Sequence, residues 1–541
     1  MLALVALAAA GPHALPPSAP RLPAIVFVSR NPIAGERGAI PGFGPHHRAA
    51  ITGGRLLVRE PDGRVRDLLP PGALFDVSHP SVSPDARTIA FAGVRSADDT
   101  WRIWAVDLDG GRLRRVTAEA AVGDARADDL DPCWIDATTV VFASTRYRQR
   151  AQYADVPVTN LFEVRMPHEG GESSLPGRIT SERNGAEKPA MDWKTGKILF
   201  ARWWFNRWRA ATAGGVTDDP AAAVPRDTVN LWQAMELSLD DRRAHVAAAD
   251  FTTRRSAMGY QPATLADGSI VAVFAANLGL SPRPAGTGIH RLSRSGAPAR
   301  RLAGAIVPGA AGDAYGGTEG LAPPSACAPA ALPDGRIVFS YAPGARGDFG
   351  LYAMNADGSR ITRVVDLPGT LELDAAPIVT HRAPARRATT AQLAMAPAAD
   401  TSDLARRAGF RFDDLDVFAD GAIARGAAPR TNGARLRFFA LLSRPERTGG
   451  DTAVMIREAP VGARGVVDER GLPADVPMFE QLIGADGHVL MTAHGPAEVA
   501  GSNAGVAGAT TRCVGCHLGH STLPVPATAA RPAASRDGAR R

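Results

Sequence analysis

The chain repeats one pattern five times, and this repetition constrains the fold more than any other feature of the sequence. Each copy starts at a proline and runs through a short strand-like segment and a polar turn, usually with Asp or Gly. It then ends in an apolar, β-branched segment that contains a phenylalanine. The copies start at Pro80, Pro132, Pro189, Pro262 and Pro329, and their phenylalanines are Phe91, Phe142, Phe200, Phe274 and Phe339. Such a period indicates an array of similar β units.

Two further segments follow each copy and complete a unit of four strands. One ends in a polar turn, as in RIWAVDLDGG from Arg102 and GLYAMNADGS from Gly350. The other is basic and apolar, as in RLRRVT at 112–117 and RITRVV at 360–365. Four short strands in each repeat, with loop insertions between them, are typical of the blades of a β-propeller.

The sequence before the first copy contains only part of a blade. Strand-like segments start at Ala24, Gly54 and Arg64, but no proline-led inner strand precedes them. A lone inner-strand segment occurs late in the chain, at 374–380 around Pro377. We therefore expect six blades, the first of them closed by this late strand, because closure removes the open sheet edges that favour aggregation.

The repeat resembles a known family. Segments such as SPDARTIAF and LPDGRIVF, followed by AVDLDGG or AMNADGS, are similar to the TolB-like, or PD40, propeller repeat across residues 23–382. The resemblance implies the fold and a channel that can bind partners, peptides or small molecules. It implies no particular chemistry, because propellers serve many unrelated functions.

A second region, also rich in β-strand patterns, follows the repeats. Residues 383–400 are rich in Ala, Arg and Thr and predict a linker. Strands are expected at 435–443, at 452–461 and at 477–492, the last as a hairpin that turns at residues 485–487. The fold class is therefore all-β: a six-bladed propeller and then a small sandwich-like domain at 401–526, which ends in a CxxCH loop. Residues 527–541 are expected to form a disordered tail.

Composition and the N-terminal segment bear on location and partners. The apolar run at 2–10, followed by small residues and prolines, predicts a signal peptide within residues 1–20 and a periplasmic or secreted protein. No other segment is long and apolar enough to predict a transmembrane helix. The net charge of +6 comes from arginines that are scattered rather than clustered, so a nucleic-acid partner is not expected.

The sequence CVGCH near the C-terminus has the spacing of a c-type haem site. Cys513 and Cys516 are separated by two residues, as thioether attachment to the two haem vinyl groups requires, and His517 follows as the proximal iron ligand. Two alternatives remain. Cys513, Cys516, His517 and His520 could form a structural zinc site, or the two cysteines could form a redox disulfide. One covalent haem c is the preferred interpretation, with zinc as the alternative cofactor.

The residues before this motif carry a second resemblance. The stretch from Ala459 to Met491, followed by CVGCHLGH, resembles the haem-bearing middle domain of the hydrazine synthase alpha subunit, in which a six-bladed propeller precedes that domain. The resemblance implies haem attachment at Cys513, Cys516 and His517, possible haem oxidoreductase activity, and an electron-transfer partner or another protein subunit. The family has a further haem-bearing domain, whereas this sequence has no second CxxCH motif, so hydrazine synthesis itself is not expected.

The sixth iron ligand determines what such a haem can do. Candidates are His494, His488 and Met491, which are expected on the strand before the haem loop. His520 is only three residues beyond His517 and is expected to orient the site rather than reach the opposite haem face. A filled sixth position favours electron transfer, whereas an open one allows small-molecule redox chemistry. The sequence leaves both possibilities open.

Other catalytic patterns are absent from the sequence, which has no GxSxG, HExxH or P-loop motif. The adjacent carboxylates at 98–99, 128–129 and 413–414 are interpreted as solvated turn residues rather than acid/base pairs. Cys133 and Cys327 are expected on inner strands of opposite blades, too far apart for a disulfide, and are predicted to be free, buried thiols.

Overall fold

The fold is nearly all β-structure. The computed structural model describes residues 21–36, 38–118, 127–154, 156–166, 173–226, 230–248, 259–275, 287–294, 297–304, 324–344, 347–384, 393–419, 427–443 and 450–515. The predicted signal peptide, Cys516, His517, His520 and the predicted C-terminal tail lie outside these residues. Among the described residues, no helix has the length and apolar character needed to cross a membrane.

Six four-stranded antiparallel sheets are present in the described part of residues 21–384. The first contains β1 (Ile25–Arg30), β2 (Gly54–Arg59) and β3 (Val65–Asp67), and the second contains β4 (Asp76–Val82), β5 (Thr88–Val94), β6 (Arg102–Asp107) and β7 (Arg114–Arg115). The third contains β8 (Asp129–Trp134), β9 (Thr139–Ser144), β10 (Asn160–Arg165) and β11 (Gly177–Arg178). The fourth contains β12 (Ala186–Asp192), β13 (Lys197–Trp204), β16 (Leu231–Leu237) and β17 (Ala244–Ala248), with the hairpin β14 (Arg209–Ala210) and β15 (Val216–Thr217) inserted between β13 and β16. The fifth contains β18 (Tyr260–Thr264), β19 (Ile270–Ala275), β20 (Thr287–Leu292) and β21 (Arg300–Gly304), and the sixth contains β22 (Ser325–Ala331), β23 (Ile337–Ala342), β24 (Gly350–Met354) and β25 (Thr362–Val365).

The predicted late strand is present as β26 (Leu371–Pro377), and it completes the first sheet in the order β26-β1-β2-β3. It pairs antiparallel with β1, so that Leu371 is opposite Arg30 and Pro377 is opposite Ile25. The first strand of each sheet packs against the first strand of the next, and β26 packs against both β22 and β4. The sheets therefore follow one another around a common axis, which is the architecture of a β-propeller.

Nearly continuous apolar runs explain why these segments form stacked sheets. The second strand of each sheet is almost fully buried, as in β9 and β19, because its two faces pack against the preceding and following sheets. The repeat phenylalanines Phe91, Phe142 and Phe200 lie in these strands and have no solvent exposure. Burial of such rings is a large apolar contribution to stability.

The second region contains two three-stranded sheets that share one apolar core. One has the order β30 (Val467–Pro473), β27 (Gly409–Asp414) and β34 (Thr510–Cys513), and the other has the order β29 (Asp451–Pro460), β28 (Arg435–Ser443) and β31 (Met478–Ile483). The second region also contains helix α2 (Thr401–Arg406), a 3-10 helix (Ala463–Gly465), and a hairpin of β32 (Met491–Thr492) and β33 (Gly495–Pro496). Helix α1 (Gly44–His47) lies in the propeller, between β1 and β2.

The strands expected at 435–443 and 452–461 correspond closely to β28 and β29. The expected hairpin at 477–492 forms its turn, because the Gly484 N–H donates to the carbonyl of His488 and the Gly487 N–H donates to that of Gly484. Its second arm is short, however. Met491 and Thr492 pair with Gly495 and Pro496 rather than continuing along β31.

Buried ionic contacts join the second region to the third and fourth sheets of the propeller. Asp451 accepts hydrogen bonds from the Arg183 Nε at 2.7 Å, the Gln152 Nε2 at 2.8 Å and the Trp208 Nε1 at 3.0 Å. Arg178 donates to both carboxylate oxygens of Asp475 at 2.7 Å. The shared apolar surface includes Trp204 of the propeller and Phe439, Leu441, Phe479 and Val499 of the second region. Opposite charges and apolar packing thus hold the two regions together.

Candidate functional sites

The first candidate site lies where β34 ends, at the first cysteine of the CVGCH sequence. Cys513 is buried in the apolar core of the second region, at 6% exposure. β34 runs parallel to β27, with Cys513 opposite Asp414, and the Leu415 N–H donates to the Cys513 carbonyl at 3.0 Å. The chain then turns at Gly515, which has a φ of 85° and donates its N–H to the Asp416 carbonyl. A β-strand and a turn thus fix the backbone at the first cysteine of the motif.

Two carboxyl groups with strongly raised pKa values lie near this strand end. Asp414 on β27 and Glu480 on β31 are both buried. Burial is the main cause that raises the pKa of Asp414 to about 7 and that of Glu480 to about 8, and the charge of Asp414 raises the pKa of Glu480 further. Neither carboxyl is in an ion pair with a described residue. Each can therefore hold a proton near neutral pH.

The prediction that Asp413 and Asp414 are solvated turn residues was wrong, because both lie in β27 and are almost fully buried. Asp413 Oδ2 accepts from the Arg512 Nε at 3.2 Å, and Asp413 Oδ1 has no hydrogen-bond partner among the described residues. The same prediction was wrong for Asp129, which is fully buried in β8 and paired with Arg146. Aspartate is also common in turns, so an aspartate near the end of a strand is easily taken for a turn residue.

The proposed sixth-ligand residues lie in the segment between β31 and β33. His488 is exposed in the turn after β31, and its N–H donates to Asp486 Oδ1. Met491 is 47% exposed, and it alone of the three lies in a strand. His494 is half-buried in the turn of the β32–β33 hairpin, next to Gly495, where an added Cβ atom would meet Arg226 of the propeller. The choice among them stays a prediction, since His517 lies outside the described residues.

The described part of the motif is compatible with covalent haem. A porphyrin edge requires an apolar surface, and the core that contains Cys513 includes Phe410, Phe412 and Leu472. No group of three or more His, Cys, Asp and Glu side chains among the described residues is arranged to hold a metal ion. This apolar core fits the first attachment point, and the remaining groups of the motif are beyond Gly515.

The second candidate site is formed by equivalent residues on the six innermost strands of the propeller. Each of these strands has a β-bulge, and in each a non-glycine residue adopts a left-handed backbone conformation. The residues are His79, Asp131, Lys188, Gln261, Ala328 and Asp374, with φ between 46° and 55°. Such φ values are uncommon outside glycine, and bulges reorient side chains. All six residues line the central cavity, so we call them the channel ring.

Short hydrogen bonds connect three members of the channel ring. The Lys188 Nζ donates to Asp131 Oδ1 at 2.8 Å and to His79 Nε2 at 2.6 Å. His79 Nδ1 lies 2.5 Å from Ser78 Oγ and 3.1 Å from Asp131 Oδ1. Burial lowers the pKa of His79 to about 3, despite the opposing effect of Asp374, so the imidazole is neutral at pH 7. Lys188 and Asp131 form the buried ion pair of this group.

A cavity of about 920 Å³ lies on one side of the channel ring. Its walls include the repeat prolines, and near them Trp193 stacks on His381 with ring centroids 4.9 Å apart. Residues 38–53, which lie between β1 and β2 and which we call the channel plug, contact the ring and its neighbours. Its Gly42 carbonyl accepts from Lys188, and its Arg48 pairs with Glu187 at 2.6 Å. These contacts hold the plug against the ring.

Sequence reasoning did not identify the channel ring or the channel plug. A signal was present for the ring, because five of its members directly precede the repeat prolines. That position is polar in four of the five copies, although it lies in a buried strand. The plug has no comparable signal, since its pairing with Glu187 joins residues 139 positions apart.

No protein-family model matches the chain, and no curated protein matches it. Solved structures do resemble it. Hydrazine synthase from Kuenenia stuttgartiensis aligns with a TM-score of 0.63 at 15% identity, over 94% of this chain and 71% of that one. TolB from Acinetobacter baumannii aligns with a TM-score of 0.39 at 14% identity, over 65% of this chain and 66% of that one. At such identities, the first likeness shows a shared fold over nearly the whole chain.

Proposed function

We propose that the protein is an exported c-type haem protein with one covalently bound haem. Cys513 and Cys516 form the thioethers, and His517 is the proximal iron ligand. When bound, the haem supplies electron transfer or small-molecule redox chemistry. The six sheets are the blades of a six-bladed propeller, which serves as the platform that binds an electron-transfer partner or another subunit.

One observation carries this proposal: the position of Cys513 at the end of β34, where its side chain is buried in an apolar core. The parallel pairing of β34 with β27 fixes the backbone on one side of Cys513, and the turn at Gly515 redirects it on the other. A cysteine that only packs in a core would not need to be the first residue of a CxxCH motif. The combination of a rigid first cysteine and the CVGCH spacing supports covalent attachment.

Residues of this chain have defined roles in the proposal. The apolar core around Cys513 excludes water from one edge of the site. The Asp414 and Glu480 carboxyls hold protons near neutral pH because their pKa values are raised to about 7 and about 8. In the protonated form these carboxyls would add no negative charge to the site, so they would disfavour reduction of a bound haem less than two carboxylates would. Asp414 and Glu480 could therefore take up protons when the haem takes up an electron.

The absorption spectrum of protein matured in a periplasm that attaches haem tests the proposal. We expect a reduced α band and a Soret band that remain with the protein after acid–acetone extraction. The variant Cys513→Ala, Cys516→Ala should lose both bands, whereas His517→Ala should keep covalent haem with an altered iron spectrum. The matched control is Cys133→Ala, which removes a buried thiol elsewhere and should leave the bands unchanged.

Two outcomes would contradict the proposal. Covalent haem retained in the double cysteine variant would exclude these residues as the attachment points. A colourless protein that carries one equivalent of zinc, lost in the double variant, would instead establish a propeller scaffold with a structural zinc site at Cys513, Cys516, His517 and His520.

A further inference from the structure

The carboxylate of Asp374 in the channel ring has no hydrogen-bond donor among the described residues. Asp374 lies on β26 and lines the central cavity, and its side chain is 9% exposed. Its Oδ2 has no hydrogen-bond partner within the described part of the chain. Its Oδ1 lies 3.2 Å from His79 Nε2. A buried carboxylate is stabilised by donors, so this group is available to accept hydrogen bonds from a molecule in the cavity.

The neighbouring ring residues do not supply that partner. The Lys188 ammonium group has three protons, and it donates to the Gly42 carbonyl, to His79 Nε2 and to Asp131 Oδ1. Because His79 is neutral and its Nε2 accepts from Lys188, this nitrogen has no proton to give to Asp374. The 3.2 Å approach of His79 to Asp374 is therefore a contact between two acceptors and not an ion pair.

The ring is asymmetric beside Asp374. Around the channel, Ala328 stands between Gln261 and Asp374, and its methyl group leaves space where the other five positions carry longer side chains. Gln261 uses its Oε1 to accept from the Ala328 N–H at 2.9 Å. The cavity thus has a polar base with an unpaired carboxylate next to a small residue.

We propose that this cavity binds a small organic amine, with its ammonium group at the base beside Asp374. The charged members of the ring are Asp131, Lys188 and Asp374, so the base carries one more negative than positive charge and favours a cation over an anion. The proline rings and Leu265, Leu332 and Met191 of the wall provide apolar surface for the organic part. A volume of about 920 Å³ is in the range that accommodates a small organic molecule.

Isothermal titration of the full chain with phenethylamine and phenethyl alcohol tests the proposal, since these probes differ mainly in charge. We expect saturable binding of the amine, at least about tenfold weaker binding of the alcohol, and at least about tenfold weaker binding of the amine by Asp374→Asn. The control Asp62→Asn removes one carboxylate from an exposed turn outside the cavity and should not change the affinity.

A second variant distinguishes loss of the site from loss of the fold, because Asp374 lies on the closing strand. Ala328→Gln keeps Asp374 and fills the space beside it, and Gln261 already occupies the equivalent backbone conformation. This variant should also weaken amine binding at least about tenfold. Nα-acetyl-lysine methylamide is the third probe. If it binds more tightly than phenethylamine, the ammonium group belongs to a peptide rather than to a free amine.

The proposal is overturned if the alcohol binds as tightly as the amine, if neither probe binds saturably, or if Asp374→Asn and Ala328→Gln both fold and keep the wild-type affinity. It is independent of the haem. The variant Cys513→Ala, Cys516→Ala should therefore bind phenethylamine as the unaltered protein does, and failure of the haem proposal would leave this result unchanged.

Discussion

Two buried acids of the propeller and two of the second region differ in whether a cation lies beside them. In the propeller, Asp76 is paired with Arg30 at 2.7 Å with both side chains inaccessible, and Glu187 is paired with Arg48. In the second region, Asp414 and Glu480 are buried without a cation among the described residues, and their pKa values are raised. An acid paired with a cation joins two segments of the chain, whereas a buried acid without a cation beside it binds a proton more readily. The comparison assigns structural roles to the first set and proton binding to the second.

The largest expected effect comes from opening the ring of the propeller. Deletion of residues 371–382 removes β26, which supplies the inner strand of the first sheet and packs against β22 and β4. We expect loss of cooperative thermal unfolding, measured by circular dichroism, because the first sheet would expose an open edge and its apolar face. Deletion of residues 527–541 is the control and should leave the Tm nearly unchanged. Equal effects of the two deletions would contradict the role of β26.

A buried pair between the two regions should have the next largest effect. Arg183→Ala leaves the Asp451 carboxylate buried with only Gln152 and Trp208 as donors. We expect a loss of about 3–5 kcal/mol in the free energy of unfolding, measured with urea, because an uncompensated buried charge is costly.

The matched control for this pair is Asp468→Ala. It breaks the ion pair of Asp468 with Arg411, whose side chains are 26% and 30% exposed, and should cost about 0–1 kcal/mol. If Arg183→Ala costs no more than this control, the interface between the two regions does not depend on the buried charge.

The unpaired carboxyls predict a distinct pH dependence. The pKa of Asp414 rises from 3.8 to about 7 in the folded protein, and that of Glu480 rises from 4.5 to about 8. Between the ordinary and the raised pKa of each group, the folded state therefore binds more protons than the unfolded chain. Stability from these groups therefore decreases as the pH rises from about 4 to about 8. Relative to the unaltered protein, Asp414→Asn with Glu480→Gln should therefore gain several kcal/mol of stability between pH 4 and pH 8, with an upper bound of about 8 kcal/mol.

Urea unfolding of both proteins at pH 4, 6 and 8 measures this difference. Asp76→Asn, in the paired set, provides the contrast, since it should destabilise the protein at pH 6 and pH 8 alike. A stability difference for the double variant that does not change with pH would mean that Asp414 and Glu480 are not protonated in the folded state.

The smallest effect concerns Cys133 and Cys327, which are free and buried, as the sequence predicts. Burial raises the pKa of Cys133 to about 12 and also raises that of Cys327, so neither thiol is ionised at neutral pH. In the Cys513→Ala, Cys516→Ala background, a thiol reagent should label neither residue in the folded protein and both after denaturation without reductant. Mass-spectrometric detection of a bridge between them would show that the order of the sheets is wrong.

Much of the propeller could be predicted from the sequence, because each sheet repeats local patterns of proline, turn and buried phenylalanine. The pairing of β26 with β1 was also predictable, since the first unit lacked an inner strand. The channel ring was not predicted, because its left-handed residues depend on bulges formed against a neighbouring strand. Asp414 and Glu480 were missed for a similar reason. They are 66 residues apart and become a site only when β27 and β31 enclose one core.

The central claim is that haem is attached covalently through Cys513 and Cys516, and intact-mass spectrometry of the periplasmically matured, denatured protein tests it most directly. The account predicts a mass larger by one haem than the mature polypeptide, with the added mass on the proteolytic peptide that contains CVGCH. The same peptide from Cys513→Ala, Cys516→Ala should carry no added mass. A polypeptide without the added mass, prepared under conditions in which a control c-type cytochrome is fully matured, would contradict the account.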